Sequence, residues 1–145
     1  MSDAAIRKLV ESQQVRIDPF NESNLTSAGY DLGVDQDVSL SPGERKLVAT
    51  LEKLELPSNL LGILHLRSSF TREGLFASLA LVDPGFRGQL TVSLVNAGRR
   101  LVKMIRGERF LQLTLIGLST EAERPYNGQY QESFGVVESR RTPQP

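Results

Sequence analysis

Two segments with alternating side chains constrain the fold of this chain more than any other feature. The segment Gln89–Leu94 places two leucines and a valine on one face and a threonine and a serine on the other. The segment Phe110–Leu118 places three leucines opposite Gln112 and Thr114. Alternation with a period of two is typical of a strand buried on one side. Short strands separated by glycine and proline turns favour an all-β sandwich or barrel over βαβ units.

The remaining pattern predicts a capped amphipathic helix, a polar loop and a further buried strand. These cover, in turn, Ser2 to about Gln13, Val15–Ser27 and Leu60–Leu66. Residues 121–145 contain few aliphatic side chains and cannot form a core of their own, so this tail is either disordered or docked. We therefore divide the chain into a β domain with an N-terminal helix, residues 1–120, and a C-terminal tail, residues 121–145.

Composition narrows the class of protein. The length of 145 residues suits one domain with a hydrophobic core, and the absence of cysteine excludes disulfides and thiolate metal sites. The single histidine, His65, lies in an apolar strand and is predicted to be a core or interface residue. No apolar run reaches the roughly 18 residues of a membrane span, so we expect a cytoplasmic protein and no membrane partner.

The charge distribution points to a small anion. Residues 67–109 carry eight basic and three acidic side chains, although the whole chain has a net charge of zero. A basic centre suits a compact anion such as a triphosphate, while ordinary loop cations explain the charge equally well. Nucleic acid is not an expected partner, because the sequence has no basic helix and no surface of interleaved aromatic and basic residues.

Two short segments carry candidate chemistry. Arg67-Ser68-Ser69 follows a strand, and a guanidinium with two hydroxyls can clamp a phosphate; a surface arginine beside turn serines is the alternative. Asp83 precedes Pro84-Gly85, where an aspartate ordinarily makes a local backbone bond. The turn nevertheless leaves Asp83 and Phe86 at a loop tip that a ligand can reach. The residues alone therefore indicate an anion site of unspecified purpose.

Several segments, taken in order, resemble the motifs of dUTPases and dCTP deaminases. The resemblance extends over nearly the whole chain and implies a distorted jelly-roll or β-barrel with a short N-terminal helix. The segments that carry it are Ser27-Ala28-Gly29-Tyr30-Asp31-Leu32, Arg67-Ser68-Ser69, Asp83-Pro84-Gly85-Phe86-Arg87-Gly88, and Gly107-Glu108-Arg109 with Gln112. Three further segments resemble the deaminase branch specifically, namely Ser2 to Pro19, Thr50 to Pro57 and the tail from Arg124. The chain thus resembles a deaminase that carries dUTPase-type residues.

The resemblance also separates the two activities of this family. It implies that dCTP deaminases use a glutamate on the strand after the third motif to move protons at the cytosine amino group. Ser93 stands at the matching position, and a serine hydroxyl is a poor acid–base catalyst near neutral pH. Ser133-Phe134-Gly135 is similar to the Gly-Phe-Gly of the dUTPase fifth motif, whose phenylalanine covers uracil; anchoring of Phe134 to the core is the alternative. We therefore expect deamination to be lost.

On this resemblance we expect a dUTP diphosphatase that forms dUMP and pyrophosphate by water attack on the α-phosphorus. Asp83 is the expected general base, and Asp31 is expected to contact the water shell of Mg²⁺. The expected substrate contacts are Arg67, Ser68, Ser69, Arg72, Phe86, Gly88, Gln112, Tyr126, Phe134 and Arg140. The resemblance also implies a homotrimer with sites at subunit boundaries, each closed by a tail.

Two alternatives to this function follow from the same residues. A dCTP deaminase, or a bifunctional dCTP deaminase–dUTPase, is the first, and Ser93 argues against it. A non-catalytic nucleotide-binding homologue is the second, and the presence of both Asp83 and Arg67-Ser68 argues against it.

Overall fold

The computed structural model describes residues 1–142 and begins with the predicted helix. Helix α1 (Asp3–Glu11) starts after Ser2, whose Oγ accepts a hydrogen bond from the Ala5 amide nitrogen at 3.3 Å. The helix buries Ile6 completely in the core of the β domain. It ends at Glu11 rather than at Gln13, because Gln13 adopts a left-handed φ of 59° that an α-helix cannot continue.

Ten strands make up most of the remaining regular structure of the described chain. They are β1 (Arg16–Asp18), β2 (Leu25–Thr26), β3 (Gly29–Gly33), β4 (Val38–Leu40), β5 (Arg45–Glu55), β6 (Leu60–Leu66), β7 (Leu75–Ser78), β8 (Arg87–Asn96), β9 (Val102–Met104) and β10 (Arg109–Gly117). A 3-10 turn covers Glu22–Asn24, and a short helix, α2 (Ser68–Arg72), follows β6. Within residues 1–142, no helix is long and apolar enough to cross a membrane.

One sequence prediction is wrong in this region. The stretch Val15–Ser27 was predicted to be a loop, but it contains β1 and β2. These strands have three and two residues, which is too short for an alternating pattern to reveal them.

The strands form three antiparallel sheets. Their orders are β1-β5-β8-β7, β2-β3-β10-β6 and β4-β9. The alternation predicted for β10 is confirmed, since Leu111, Leu113 and Leu115 are all completely buried. The alternation of β8 is confirmed for Val92 and Leu94, which are buried, but not at the start of the strand, where Leu90 is half-buried and Gln89 is buried. Burial of each such leucine stabilises the fold by about 1.5–3 kcal/mol, so the two predicted strands carry much of the core.

Glu52 connects the sheet of β5 to the sheet of β3. It lies at an irregularity in the register between β5 and β8, where Gln89 Nε2 also donates to the Thr50 carbonyl oxygen at 2.8 Å. Glu52 is 2% exposed, and its Oε2 accepts a hydrogen bond from the Gly33 amide at 2.9 Å. Burial raises the pKa of Glu52 from its ordinary value of 4.5 to about 7, although the bond from Gly33 opposes the shift.

The tail packs along β8 of its own chain. Ser133 forms a parallel bridge with Gly88, and the Glu132 carboxylate pairs with Lys53 at 3.0 Å and Arg87 at 2.6 Å. Gly88 has a φ of 140°, and a Cβ there would lie 2.7 Å from the Ser133 amide nitrogen, so this contact requires glycine. The tail was predicted to be either disordered or docked, and in the single chain it is docked. Closure over a neighbouring subunit stays a prediction.

Candidate functional site

Asp83 lies at the tip of the loop between β7 and β8. Val82 anchors this loop through two backbone hydrogen bonds with Gly62, at 2.8 and 2.9 Å. The turn closes when the Phe86 amide donates to the Asp83 carbonyl oxygen at 3.1 Å. The Asp83 residue is exposed, whereas Phe86 is almost fully buried beside it. The loop therefore presents a carboxylate to solvent from a well-anchored base.

Asp83 lines a cleft of about 560 Å³, which we call the β8 cleft. The cleft runs along β8 and is bounded by β5, by the loop before β8 and by the tail. Its lining includes Arg45, Asp83, Phe86, Ser93, Tyr126 and Glu138. This volume is within the range of pockets that hold small molecules, so the cleft can accommodate a nucleoside.

The tail forms one wall of the β8 cleft. The Tyr126 ring packs at a tilt against Phe86 with 5.7 Å between the ring centroids, and the Tyr126 amide donates to the Pro84 carbonyl oxygen at 2.7 Å. Further along, the Val137 amide donates to Thr91 Oγ1 at 3.0 Å. An aromatic pair therefore lies beside Asp83, which suits contact with a sugar or base.

Arg45 and Ser93 meet at another point of the same cleft. Arg45 Nη1 donates a hydrogen bond to Ser93 Oγ at 3.2 Å. β5 pairs with β8 so that Leu47 lies opposite Ser93. Arg45 is two residues before Leu47 and therefore lies on the same face of the sheet, next to Ser93. The position expected to hold a deaminase glutamate thus carries a hydroxyl bound to a guanidinium.

A second group of polar residues, which we call the arginine cluster, surrounds Asp31. Asp31 is 3% exposed, and its Oδ2 lies 3.2 Å from Arg67 Nε and 3.9 Å from Arg109 Nη1. Arg67 Nη1 also donates to the Arg109 carbonyl oxygen at 3.1 Å. Burial raises the pKa of the Asp31 carboxyl, while the two guanidiniums act in the opposite direction. Asp31 therefore holds two arginines in place.

The other residues predicted to bind phosphate border this cluster. Gln112 lies opposite Asp31 in the pairing of β10 with β3, and its Nε2 donates to Thr26 Oγ1 at 2.7 Å. Ser68 and Ser69 begin α2 and are exposed. Arg72 Nη1 donates to the Ser68 carbonyl oxygen at 3.1 Å, which braces the helical turn, and its contact with a substrate stays a prediction. The cluster therefore offers cationic and hydroxyl donors on one surface.

The single chain does not bring the two groups of predicted residues into one pocket. The lining of the β8 cleft includes Asp83, Phe86 and Tyr126, but not Arg67 or Gln112. Gly88, another predicted contact, does not line this cleft and contacts Ser133 of the tail. The predicted general base and the predicted phosphate clamp thus occupy separate surfaces of one chain.

The last two predicted contacts lie in the tail. Phe134 is 85% exposed, so its alternative reading as an anchor to the core is wrong. Arg140 donates from Nη1 to the Gln129 carbonyl oxygen, and its guanidinium carbon lies 5.9 Å from the centroid of the Tyr130 ring. Neither side chain lines the β8 cleft of its own chain, and their contacts with substrate stay predictions.

Two residues of these surfaces were not assigned from the sequence. Arg109 lies in Gly107-Glu108-Arg109, one of the segments that resemble the family motifs, so its place in that segment could have identified it. Arg45 had no such signal, because only the pairing of β5 with β8 reveals its neighbour. His65 was predicted to be a core or interface residue; the core reading is wrong, since His65 is exposed in the single chain.

The described residues do not provide a metal site made of protein alone. Among residues 1–142 there is no group of three or more histidine, aspartate or glutamate side chains that could hold an ion. Asp31, the predicted outer-shell contact, is paired with Arg67, and its contact with the water shell of an ion stays a prediction. The arrangement suits Mg²⁺ only if substrate phosphates supply most ligands, which is the usual manner in which that ion binds.

A comparison with known families identifies this fold. A family model described as dCTP deaminase-like matches residues 33–118, more than half of the chain. The chain belongs to the dUTPase / dCTP deaminase family. The resemblance drawn from the sequence motifs is therefore confirmed, and with it the dUTPase-like type of all-β fold.

The relatives of this chain include proteins named as dCTP deaminases and a protein named as a probable dUTP nucleotidohydrolase. The chain is 40% identical to a "dCTP deaminase" of Thermococcus kodakarensis, over 97% of each chain. It is 34% identical to a "Probable deoxyuridine 5'-triphosphate nucleotidohydrolase" of Sulfolobus islandicus rod-shaped virus 1, over 94% of this chain and 96% of that one. A mutant dUTPase from phage phi11 of S. aureus, solved with a coordinated structural Mg(II) ion, has the same fold. Its TM-score is 0.61 at 17% identity, and the match covers 80% of this chain and 98% of that one.

Proposed function

We propose that this protein hydrolyses dUTP to dUMP and pyrophosphate by attack of water on the α-phosphorus. The observation that carries the proposal is an exposed carboxylate, Asp83, in a nucleoside-sized cleft whose β8 wall presents Ser93 where deamination needs a carboxylate. A cytoplasmic location and a homotrimeric assembly are part of the proposal.

Asp83 is the general base of the proposed reaction. Its carboxylate accepts a proton from the attacking water, which becomes a stronger nucleophile as its bond to the α-phosphorus forms and pyrophosphate leaves. A positioned base contributes roughly 10²–10⁴ to the rate of such a step. Phe86, buried beside Asp83, packs on the deoxyribose and fixes the distance between the sugar and the carboxylate.

The arginine cluster neutralises the triphosphate in this proposal. Arg67, Ser68 and Gln112 donate to phosphate oxygens, and Asp31 keeps Arg67 in position. Because these donors do not line the β8 cleft of the same chain, the complete site needs the cluster of one subunit beside the cleft of another. Phe134 is exposed on the tail and therefore available to cover a base bound at a neighbouring subunit.

Mg²⁺ is the proposed cofactor. It would bind mainly to oxygens of the triphosphate, and it would supply positive charge that lowers the cost of developing charge on the leaving pyrophosphate. Asp31 is close enough to the predicted phosphate donors to contact the water shell of the ion. The phage phi11 dUTPase, which has the same fold, is described with a structural Mg(II) ion, so it supports Mg²⁺ binding by this fold but not the role of the ion at the triphosphate.

A dCTP deaminase, alone or combined with dUTP hydrolysis, is the second candidate function. It is favoured by 40% identity to a protein named dCTP deaminase. Deamination requires a group that moves protons at position 4 of the base, and Ser93 is poorly suited to this. The tail carboxylate of Glu138, which also lines the β8 cleft, is the residue that this candidate would need.

Product analysis separates the two candidates. The full-length protein is incubated with Mg²⁺ and either dUTP or dCTP, and pyrophosphate and ammonia are measured. We expect pyrophosphate from dUTP and no ammonia from dCTP. Ammonia from dCTP would establish the second candidate, and loss of that ammonia in Glu138→Gln would identify its catalytic group. Absence of both products would exclude both enzymatic functions.

A further inference from the structure

We propose that Arg45 determines the preference of the β8 cleft for a uracil base over a cytosine base. The inference rests on the proposed function, since it names the residue that would select the substrate of that reaction. Arg45 begins β5, and Ser93 lies on the neighbouring strand β8. Both side chains line the β8 cleft, and they are joined by the 3.2 Å hydrogen bond from Arg45 Nη1 to Ser93 Oγ.

Arg45 is one of the described arginines that have no carboxylate partner, and it is the one that lines the β8 cleft. Arg67 and Arg87 each form an ion pair, with Asp31 and Glu132 respectively, whereas no carboxylate within residues 1–142 lies within 4.0 Å of Arg45. A guanidinium has five N–H donors, and Ser93 accepts from one of its nitrogens. Arg45 is exposed, so its remaining donors are accessible to a molecule that enters the cleft.

The chemistry of a guanidinium selects one kind of base edge. It donates hydrogen bonds and cannot accept them, so it binds a carbonyl oxygen and opposes an amino group. Uracil has a carbonyl at position 4, where cytosine has an amino group. A ligand that presents an amino group in place of the carbonyl leaves the facing donor without an acceptor, and this lowers the affinity for that ligand. Arg45 therefore favours the uracil edge, while the hydroxyl of Ser93 tolerates either base.

The cleft is continuous between the sugar end and the Arg45 end. Asp83 and Phe86 lie on the loop before β8, and Leu90, Thr91 and Ser93 follow along the strand as lining residues of the same cleft. A nucleotide whose α-phosphate is near Asp83 can therefore extend its base along β8 toward Arg45.

Binding measurements on Arg45→Met test this proposal without relying on hydrolysis. Affinities for dUMP and dCMP are measured by titration calorimetry with the full-length protein and each variant. We expect the wild-type protein to prefer dUMP, and R45M to reduce this preference on the order of tenfold to hundredfold, which is the loss of one charged hydrogen bond. Arg45→Lys, which retains a cationic donor, is expected to restore part of the preference.

Lys46→Met is the matched control. Lys46 is the next residue of β5, but its Nζ pairs with Glu44 at 3.0 Å and lies outside the cleft lining. K46M removes a positive charge from the same strand and should leave the dUMP preference unchanged. Inorganic tripolyphosphate serves as a further probe: if R45M weakens its binding as much as that of dUMP, Arg45 binds phosphate and the proposal is wrong.

The outcomes for base selection and for hydrolysis are separable. If R45M removes the dUMP preference of a protein that releases no pyrophosphate, base selection stands and the proposed hydrolysis fails. If the protein hydrolyses dUTP but R45M leaves the preference unchanged, only the role of Arg45 is contradicted. Equal wild-type affinities for the two nucleotides, including no binding of either, would also overturn it.

Discussion

The arginine cluster and the β8 cleft differ in how far the single chain fixes their geometry. In the cluster, Asp31 is 3% exposed and holds Arg67 at 3.2 Å, so its main groups are positioned before any ligand arrives. In the cleft, Asp83 and Arg45 are exposed, and one wall is the tail rather than a sheet. The difference indicates that the predicted phosphate donors are preorganised, while the groups that would meet the sugar, base and water stay accessible.

The largest expected effect is the loss of turnover when Asp83 of the β8 cleft is replaced. Asp83→Asn keeps the shape of the side chain but cannot take a proton from water. We expect kcat for pyrophosphate release from dUTP to fall by roughly 10²–10⁴, with nucleotide binding largely retained. Steady-state kinetics and titration calorimetry measure the two quantities separately.

Glu138→Gln is the control for this variant, because Glu138 is a second exposed carboxylate of the β8 cleft. It should retain most of the hydrolytic rate. If E138Q loses turnover while D83N keeps it, the role of general base moves from the loop to the tail, and the proposed mechanism is wrong.

The next effect concerns Glu52, which ties the sheet of the cleft to the sheet of the cluster. Its pKa is about 7 in the folded protein, against an ordinary value of 4.5. Between pH 4.5 and 7 the carboxyl is therefore protonated in the folded state and largely ionised in the unfolded state. The free energy of unfolding should therefore be highest below pH 4.5 for this group and should fall by on the order of 3 kcal/mol as pH rises to 7.

Urea unfolding at several pH values, on the wild type and on Glu52→Gln, checks this expectation. The amide can still accept the hydrogen bond from Gly33 but does not titrate. E52Q should therefore lose most of the fall in stability between pH 4.5 and 7. Identical pH profiles for the two proteins would mean that burial does not raise the pKa of Glu52.

The smallest effect is on the stability of the arginine cluster. Asp31→Asn leaves the guanidiniums of Arg67 and Arg109 without their shared carboxylate. These arginines are 36% and 42% exposed, so solvent screens part of the lost attraction, and the variant also removes the burial cost that raises the pKa of Asp31. We therefore expect the free energy of unfolding to fall by at most about 1 kcal/mol. The KM for dUTP should also rise, since Arg67 loses its fixed position.

Asp18→Asn is the matched control for the cluster. Asp18 pairs with Arg16 at 3.0 Å, but its side chain is 54% exposed, so its loss should cost less than about 1 kcal/mol. D18N should leave the KM for dUTP unchanged. If D31N also leaves the KM unchanged, Asp31 does not position Arg67 for the substrate, and the contrast between a fixed and an open region fails.

The sequence predicts those parts of the fold that depend on local patterns. β8 and β10 alternate over several residues, and α1 carries its own N-cap at Ser2, so each of these elements was predicted correctly apart from its ends. β1 and β2 were missed because their few residues carry no period.

A residue of the candidate site could be predicted from the sequence only where it lies in a segment that resembles a family motif. Asp83 and Arg67 lie in such motifs, and the structure places both where a ligand can approach. The bond between Arg45 and Ser93 joins residues that are distant in the chain, and it exists only because β5 pairs with β8. The docking of Ser133 against Gly88 depends in the same way on a contact between the tail and β8. Local periodicity contains no information about such pairs.

Hydrolysis of dUTP in water enriched with oxygen-18 tests the central claim most directly. If the water activated by Asp83 attacks the α-phosphorus, mass spectrometry should find the heavy oxygen in dUMP and none in pyrophosphate. Label in pyrophosphate would place the attack on the β-phosphorus, and it would contradict the proposed arrangement of Asp83 and the triphosphate.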